Sequence, residues 1–140
     1  MKTVTEFFFI LTSLLLVFQL VKGSADPDDF RKLTASVRAK CIEETKTTLQ
    51  AIEDTEFGEF PEDDRLKCYF KCVLEKSSMM DKNGKIKYNL LKKIIPDVYK
   101  DVVHGMIDSC TEVTAKDHCE KAYGFMKCLY AENPMFFIAP

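Results

Sequence analysis

The number and spacing of the cysteines constrain this chain more than any other feature. Six cysteines follow an apolar N-terminal stretch, and they are Cys41, Cys68, Cys72, Cys110, Cys119 and Cys128. The gaps between them are 26, 3, 37, 8 and 8 residues. An even number of cysteines behind a secretion leader indicates a disulfide framework rather than a set of free thiols.

Residues 1–23 have the pattern of a cleaved secretion signal. A positively charged start precedes an apolar stretch at residues 7–21, and small residues follow it. Cleavage after Gly23 and cleavage after Ala25 both fit, and the first gives a single domain of residues 24–140. The apolar stretch is shorter than the ~20 residues of a membrane span. We therefore expect a secreted, extracellular protein.

The charge of the chain excludes some partners. The net charge is −2, and removal of the leader, with its two lysines and one glutamate, leaves −3. Because the lysines look scattered in an acidic chain, we expect neither nucleic acid nor an anionic membrane as a partner. No second long apolar stretch follows the leader, so we expect no stable membrane insertion.

Apolar residues recur at steps of three and four almost throughout the mature chain, as in amphipathic helices. Breaks at residues 45–48, 57–61, 81–84 and 114–117 and at Pro96 divide this pattern into about six helices. No stretch shows the period-two alternation of a strand. The chain is therefore predicted to be all-α, with little more than a modest core for its size.

Two helix faces are predicted to be buried. In the first helix, which Asp28 and Asp29 start, the face consists of Phe30, Leu33, Val37 and Cys41. In the helix that Asp97 is expected to cap, the face consists of Val98, Val102, Val103, Met106, Ile107 and Cys110.

The helical spacing restricts how the cysteines can pair. Cys68 and Cys72 lie one turn apart, with ~6 Å between Cβ atoms against the ~3.8 Å that a disulfide needs. Cys119 and Cys128 lie on opposite faces of the last helix, ~13 Å apart along its axis. Excluding these two pairs leaves ten of the fifteen pairings of six cysteines, and the residues alone do not select among the ten.

This helical six-cysteine pattern resembles the insect odorant-binding proteins, the general-odorant and pheromone-binding family. The gap of three and the final gap of eight are that family's most constant features, and residues 81–85 and 132–134 are also similar. The resemblance implies six helices around an internal apolar cavity, with a tail at residues 132–140 that folds over the cavity mouth. It also implies three interlocked disulfides, which are Cys41 with Cys72, Cys68 with Cys119, and Cys110 with Cys128.

The resemblance implies a function as well as a fold. Members of the family reversibly bind small hydrophobic ligands such as odorants, pheromones or related lipids. They transport these ligands through sensillar lymph or another secreted fluid to receptors. An olfactory receptor complex and a second copy of the chain are therefore candidate protein partners, and no cofactor is expected.

Candidate ligand contacts come from apolar helix faces and from the tail. Such faces are usually plain core, but methionines spread over several elements favour an adaptable apolar pocket. The predicted lining residues are Leu74, Met79, Leu90, Leu91, Ile94, Val103, Met106, Tyr123, Met126, Phe136, Phe137 and Ile138. The tail residues among them form either a lid or a frayed terminus.

His104 is the candidate for a pH-dependent latch, because histidine titrates near neutrality. A partly exposed surface imidazole without such a role is the alternative. No metal site is predicted, because Gly84 stands at the fourth position of the Asp81 loop, whereas a calcium loop needs glycine at its sixth.

Two other classes of function were weighed against a carrier. The chain has no recognisable catalytic motif, and its cysteines are committed to disulfides, so we expect no enzyme. A secreted, disulfide-rich helical interaction or membrane-active protein is the alternative function. It would need a basic amphipathic face or an exposed apolar patch.

Overall fold

The computed structural model describes residues 27–140, which form an all-α fold. The six α-helices are α1 (Pro27–Thr45), α2 (Leu49–Asp54), α3 (Asp64–Lys76), α4 (Tyr88–Lys93), α5 (Lys100–Ser109) and α6 (His118–Glu132). Single turns of 3-10 helix occur at Thr55–Phe57, Asp97–Tyr99 and Pro134–Phe136. Within the described residues, β-pairing is limited to one isolated bridge between Met80 and Ile86. The predicted leader, residues 1–23, lies outside this part of the chain.

Short polar side chains fix where three of the helices begin. Thr48, Asp63 and Asp117 each accept a hydrogen bond from a backbone N–H two or three residues further along the chain. These bonds satisfy amides that have no partner within the helix. The starts of α2, α3 and α6 are therefore encoded locally.

The centre of the molecule is the contact between α3 and α6, and α1 also packs on α3. Tyr69 and Phe70 of α3 and Phe125 of α6 are fully buried there, together with Ile52 of α2. An edge-to-face contact joins the rings of Tyr69 and Phe70 at 5.4 Å between centroids. The apolar stripe of α3 thus supplies the inner surface on which the other helices assemble.

Three disulfides tie the helices around this centre. They join Cys41 to Cys72, Cys68 to Cys119 and Cys110 to Cys128, with Cα separations of 5.7, 4.5 and 5.8 Å. The bonds link α1 to α3, α3 to α6, and the end of α5 to α6. Helices α3 and α6 are each held by two bonds, so the disulfides interlock as the resemblance implies.

Three residues that were predicted to face inward are exposed instead. Leu33 is 82% exposed because α1 joins the core only from Val37 onward. Val98 is 71% exposed and Val102 is also exposed. The inner face of α5 therefore begins with Val103, later than the periodicity predicts.

Asp97 does not cap α5. It lies in a 3-10 turn that follows Pro96, makes no capping hydrogen bond, and pairs with Lys100 instead. Pro96 fixes the extended backbone before the turn, and one tight turn precedes the regular helix.

None of the helices in residues 27–140 is both long enough and apolar enough to cross a membrane. The same residues contain no group of three or more histidine, cysteine or acidic side chains arranged to hold a metal ion. In the loop at residues 81–84, one Asp81 carboxylate oxygen accepts hydrogen bonds from the backbone N–H groups of Asn83 and Lys85.

Candidate ligand-binding site

The structure brings most of the predicted lining residues to the interior. Five belong to the buried core, and they are Leu74, Met79, Tyr123, Met126 and Phe137. Met106 is also buried, and Ile138 is half-buried. Leu90, Leu91 and Val103 are half-buried and pack against the core. Helices α3, α4, α5 and α6 and the tail thus all contribute to one apolar region.

Ile94 and Phe136 do not reach this interior. Ile94 is 51% exposed at the end of α4, next to the turn before Pro96. Phe136 is also exposed, and its ring lies against Tyr99 with 6.1 Å between centroids. Because both residues follow the end of a regular helix, the helical pattern gave no reliable direction for their side chains.

An aromatic cluster forms one wall of the apolar region. The ring of Phe60 lies 5.7 Å from that of Tyr123, 5.6 Å from that of Tyr130 and 6.1 Å from that of Phe137. Tyr130 and Phe137 also meet edge to face, at 5.8 Å. Sequence reasoning missed Phe60 and Tyr130. Phe60 lies in the loop before α3, where no helical period marks it as buried.

Tyr123 has a structural partner for its hydroxyl group. The hydroxyl donates a hydrogen bond of 2.6 Å to the carbonyl oxygen of Pro61. Burial raises the pKa of Tyr123 to about 12, and the nearby charges of Glu62 and Asp63 act in the same direction. The group therefore stays protonated and holds the loop before α3, so its proton is not free for a ligand.

The C-terminal tail is docked on the body of the protein. Phe137 and Ala139 are buried, whereas Met135 is 90% exposed. The backbone N–H of Ala139 donates to a carboxylate oxygen of Glu56 at 3.0 Å. The hydroxyl of Tyr69 donates to the carbonyl oxygen of Pro140. Alternate tail residues thus point inward, and two hydrogen bonds fix the last two residues.

Two arginines of α1 interact with the residues that hold the tail. Arg31 binds the second carboxylate oxygen of Glu56 at 2.6 Å, so Glu56 bridges α1 and the tail. Arg38 is buried, and its Nε and Nη2 atoms have no hydrogen-bond partner. Its nearest carboxylate oxygen, on Glu53, lies at 4.0 Å.

Arg38 also influences Tyr69. Burial raises the pKa of Tyr69 to about 12, and the positive charge of Arg38 opposes part of this rise. Tyr69 therefore remains a neutral donor to the tail at any physiological pH. Sequence reasoning did not identify Arg38, although an arginine on the buried side of a helix, three residues before a core cysteine, was a detectable signal.

His104 lies between two helices. A ring nitrogen of this half-buried residue is 3.0 Å from the carbonyl oxygen of Lys92, so the ring links α5 to the end of α4. In this conformation the contact holds the two helices together. A role for His104 in pH-dependent release stays a prediction.

Two open depressions lie on the surface of the part of the chain that the structure describes. One of about 630 Å³ lies over the Cys68–Cys119 disulfide and is lined mainly by charged residues. The other, of about 380 Å³, lies at α4, and Leu90 is its one member of the predicted lining set. Both are outside the region that the tail covers.

Comparison with protein families and curated sequences identifies the relatives of this chain. The model of the PBP/GOBP family matches residues 24–132. General odorant-binding protein 69a of Drosophila melanogaster is 23% identical over 137 residues, which cover 95% of this chain and 93% of that protein. General odorant-binding protein 72 of Anopheles gambiae is 29% identical, over 81% of this chain and 98% of its own length.

Solved structures give the same relationship. Odorant binding protein 5 of Apis mellifera matches with a TM-score of 0.76 and 25% identity, over 84% of this chain and 99% of its own. Odorant binding protein 7 from Anopheles gambiae, which has four disulfide bridges and is in complex with an azo compound, matches with a TM-score of 0.66. It is 25% identical, over 81% of this chain and 97% of its own.

Proposed function

Because this chain belongs to the PBP/GOBP family, we propose that it is a secreted carrier of small hydrophobic ligands. It binds odorants, pheromones or related lipids reversibly and transports them through aqueous fluid without converting them. Residues 1–23 would be removed on secretion, and residues 24–140 would act in sensillar lymph or another secreted fluid. Delivery to an olfactory receptor complex is part of this proposal.

The observation that carries the proposal is the apolar interior beneath the docked tail. Five predicted lining residues lie in the buried core, and the tail residues Phe137 and Ala139 belong to the same core. A ligand that buries its apolar surface here gains about 25 cal/mol per Å². Transport requires release, so we expect an affinity near the micromolar range, or about 8 kcal/mol.

We assign three roles within this site. The methionines adapt to ligands of different shape, because the thioether chain is flexible and polarisable. The aromatic cluster around Phe60 forms a rigid wall, and the tail forms a lid. The Nε and Nη2 atoms of Arg38 make no hydrogen bond, and this side chain acts on Tyr69, which binds the end of the tail, so we assign to Arg38 a preference for ligands with an oxygen acceptor.

The test is a titration of the oxidised protein with a fluorescent hydrophobic probe, followed by displacement with alcohols, esters, aldehydes, terpenoids and fatty acids. Saturable binding that is lost when the disulfides are reduced would support the carrier. The replacement Met126→Gln should weaken binding, whereas Met135→Gln at an exposed position should not. Absence of saturable binding by correctly paired protein would contradict the proposal.

Pairing of two copies is a separate proposal with its own measurement. Dimer formation would make the sedimentation coefficient depend on protein concentration in analytical ultracentrifugation. A constant monomeric value up to the concentrations used in the titration would contradict it.

A further inference from the structure

Charge is strongly separated along this acidic chain. Residues 82–100 contain six lysines and one aspartate, whereas residues 53–64 contain seven acidic residues and neither lysine nor arginine. The expectation of scattered lysines is therefore wrong at this scale. One segment precedes and the other follows α3, a helix of about 20 Å. The chain therefore has a basic region and an acidic region, although its net charge is only −2.

Three lysines of the basic segment converge on the 380 Å³ depression at α4. We call this site the lysine depression, and it is lined by Lys85, Ile86, Lys87, Tyr88, Asn89, Leu90 and Lys93. Within residues 27–140, no ion pair engages these three ammonium groups. Other lysines of the same residues do form ion pairs with carboxylates. The pKa of the nearby Asp81 is lowered mainly by the hydrogen bond from the backbone N–H of Lys85, and the charges of Lys87 and Lys85 add to this effect.

Large apolar side chains are exposed just beyond the lysine depression. Ile94 and Val98 are more than half exposed, and Val102 is exposed in the first turn of α5. The contact between Tyr99 and Phe136 brings the exposed turn of the tail to the same segment. Exposed apolar residues beside unpaired lysines are typical of surfaces that bind the bilayer interface.

We propose that the lysine depression and the apolar residues after it dock on a bilayer surface that contains anionic phospholipids. The ammonium groups of Lys85, Lys87 and Lys93 contact lipid phosphates and carboxylates. The side chains of Ile94 and Val98 enter the boundary between headgroups and acyl chains. This binding is peripheral, and the helices stay outside the bilayer core.

The distribution of ion pairs favours a lipid surface over an acidic protein face of a second copy. In the acidic segment, the carboxylates of Glu56, Glu62 and Asp63 already have cationic partners in their own chain. Without breaking or sharing these pairs, a second copy could offer only the remaining carboxylates of the segment, whereas an anionic bilayer presents its charge over the whole contact area. Attraction to the bilayer should weaken as the salt concentration rises.

Vesicle co-sedimentation of the oxidised protein, without any odorant, tests this proposal. We expect partition onto vesicles of phosphatidylcholine with phosphatidylserine and little onto phosphatidylcholine alone. The triple variant Lys85→Gln, Lys87→Gln, Lys93→Gln should lose about a hundredfold in partition, since each lysine near such a surface contributes severalfold. The matched control Lys40→Gln, Lys116→Gln, Lys127→Gln removes the same charge from exposed positions elsewhere and should bind nearly as the unaltered protein.

Four outcomes would overturn the proposal. The first is equal partition onto both vesicle types, and the second is an equal loss of partition in both triple variants. The third is full competition by inorganic phosphate at the same phosphate concentration. The fourth is sedimentation of the protein without vesicles, abolished in the first triple variant but not in the control. The last result would indicate association between copies. A Val98→Ser variant should bind more weakly with an unchanged salt dependence. Because no odorant is present, these results are independent of those for ligand binding.

Discussion

Single residues decide how firmly the tail is held. Tyr69 belongs to the rigid centre of α3, yet its hydroxyl reaches the carbonyl of the last residue, Pro140. Glu56 is shared between the backbone of Ala139 and the guanidinium of Arg31. Each contact joins the end of the chain to an element that is distant in sequence. Loss of one hydroxyl should therefore alter the dynamics of the tail without altering the fold.

Tyr69→Phe removes the hydrogen bond to Pro140 and keeps the ring in the core. We expect a loss of about 1 kcal/mol in unfolding free energy and faster ligand dissociation. Stopped-flow displacement of a bound probe measures the rate, and urea unfolding measures the stability. The control Tyr88→Phe removes a hydroxyl that donates to the carbonyl of Thr111, away from the tail. Similar dissociation rates in the two variants would show that the Tyr69 contact does not hold the tail.

Asp63 gives a pH dependence whose sign follows from its partners. Hydrogen bonds from the side chain of Arg65 and its backbone N–H lower the pKa of this carboxyl group. A carboxyl with a lowered pKa stabilises the fold above its unfolded pKa of about 3.9, and this is lost as the pH falls through the folded value. Asp63→Asn can still cap α3 but carries no charge. Its urea midpoint should vary less than that of the unaltered protein below about pH 4, and parallel curves would contradict this assignment.

At the scale of helices and turns, two glycines should respond in opposite ways to replacement by alanine. One has a left-handed backbone conformation, and the other lies inside a helix. Gly58 ends the turn after α2 with φ of +89°, and a Cβ atom there would lie 2.8 Å from the Tyr130 hydroxyl oxygen. Gly58→Ala should therefore destabilise the protein by about 1–2 kcal/mol. Gly105 lies inside α5, and a new Cβ there would meet no side chain and no other element within 4 Å, so Gly105→Ala should stabilise by about 0.5–1 kcal/mol. Thermal unfolding checks both signs, and a stable Gly58→Ala variant would contradict the strain argument.

The sequence predicted the helices better than it predicted which faces are covered. Periodicity and breaks located all six helices in the described residues, because caps and prolines act within a few residues. The exposure of Leu33 and Val98 was missed, because periodicity shows which residues share a face and not what covers that face. The contribution of Phe60 depends on contacts between distant segments. No local pattern in the sequence contains that information.

At the scale of the whole molecule, the disulfides and the tail have different tasks. The three bonds hold α1, α3, α5 and α6 together whether or not the tail is docked. The tail relies on buried apolar side chains and two hydrogen bonds to side chains of other elements. Such a terminal segment opens at a lower free-energy cost than the cross-linked core. The architecture thus allows ligand exchange without unfolding of the helices.

Deletion of residues 134–140 should therefore speed ligand dissociation while the disulfide-linked helices persist. The deletion uncovers the apolar region beside Phe60 and removes the burial of Phe137 and Ala139, so some loss of stability is expected as well. Far-ultraviolet circular dichroism establishes that the helices remain, and stopped-flow displacement of the probe gives the off-rate. Met135→Ala alters the same segment at an exposed position and should leave the off-rate unchanged. An unchanged off-rate in the folded deletion variant would show that the tail is not a lid, and ligand exchange would then have to take place between the helices.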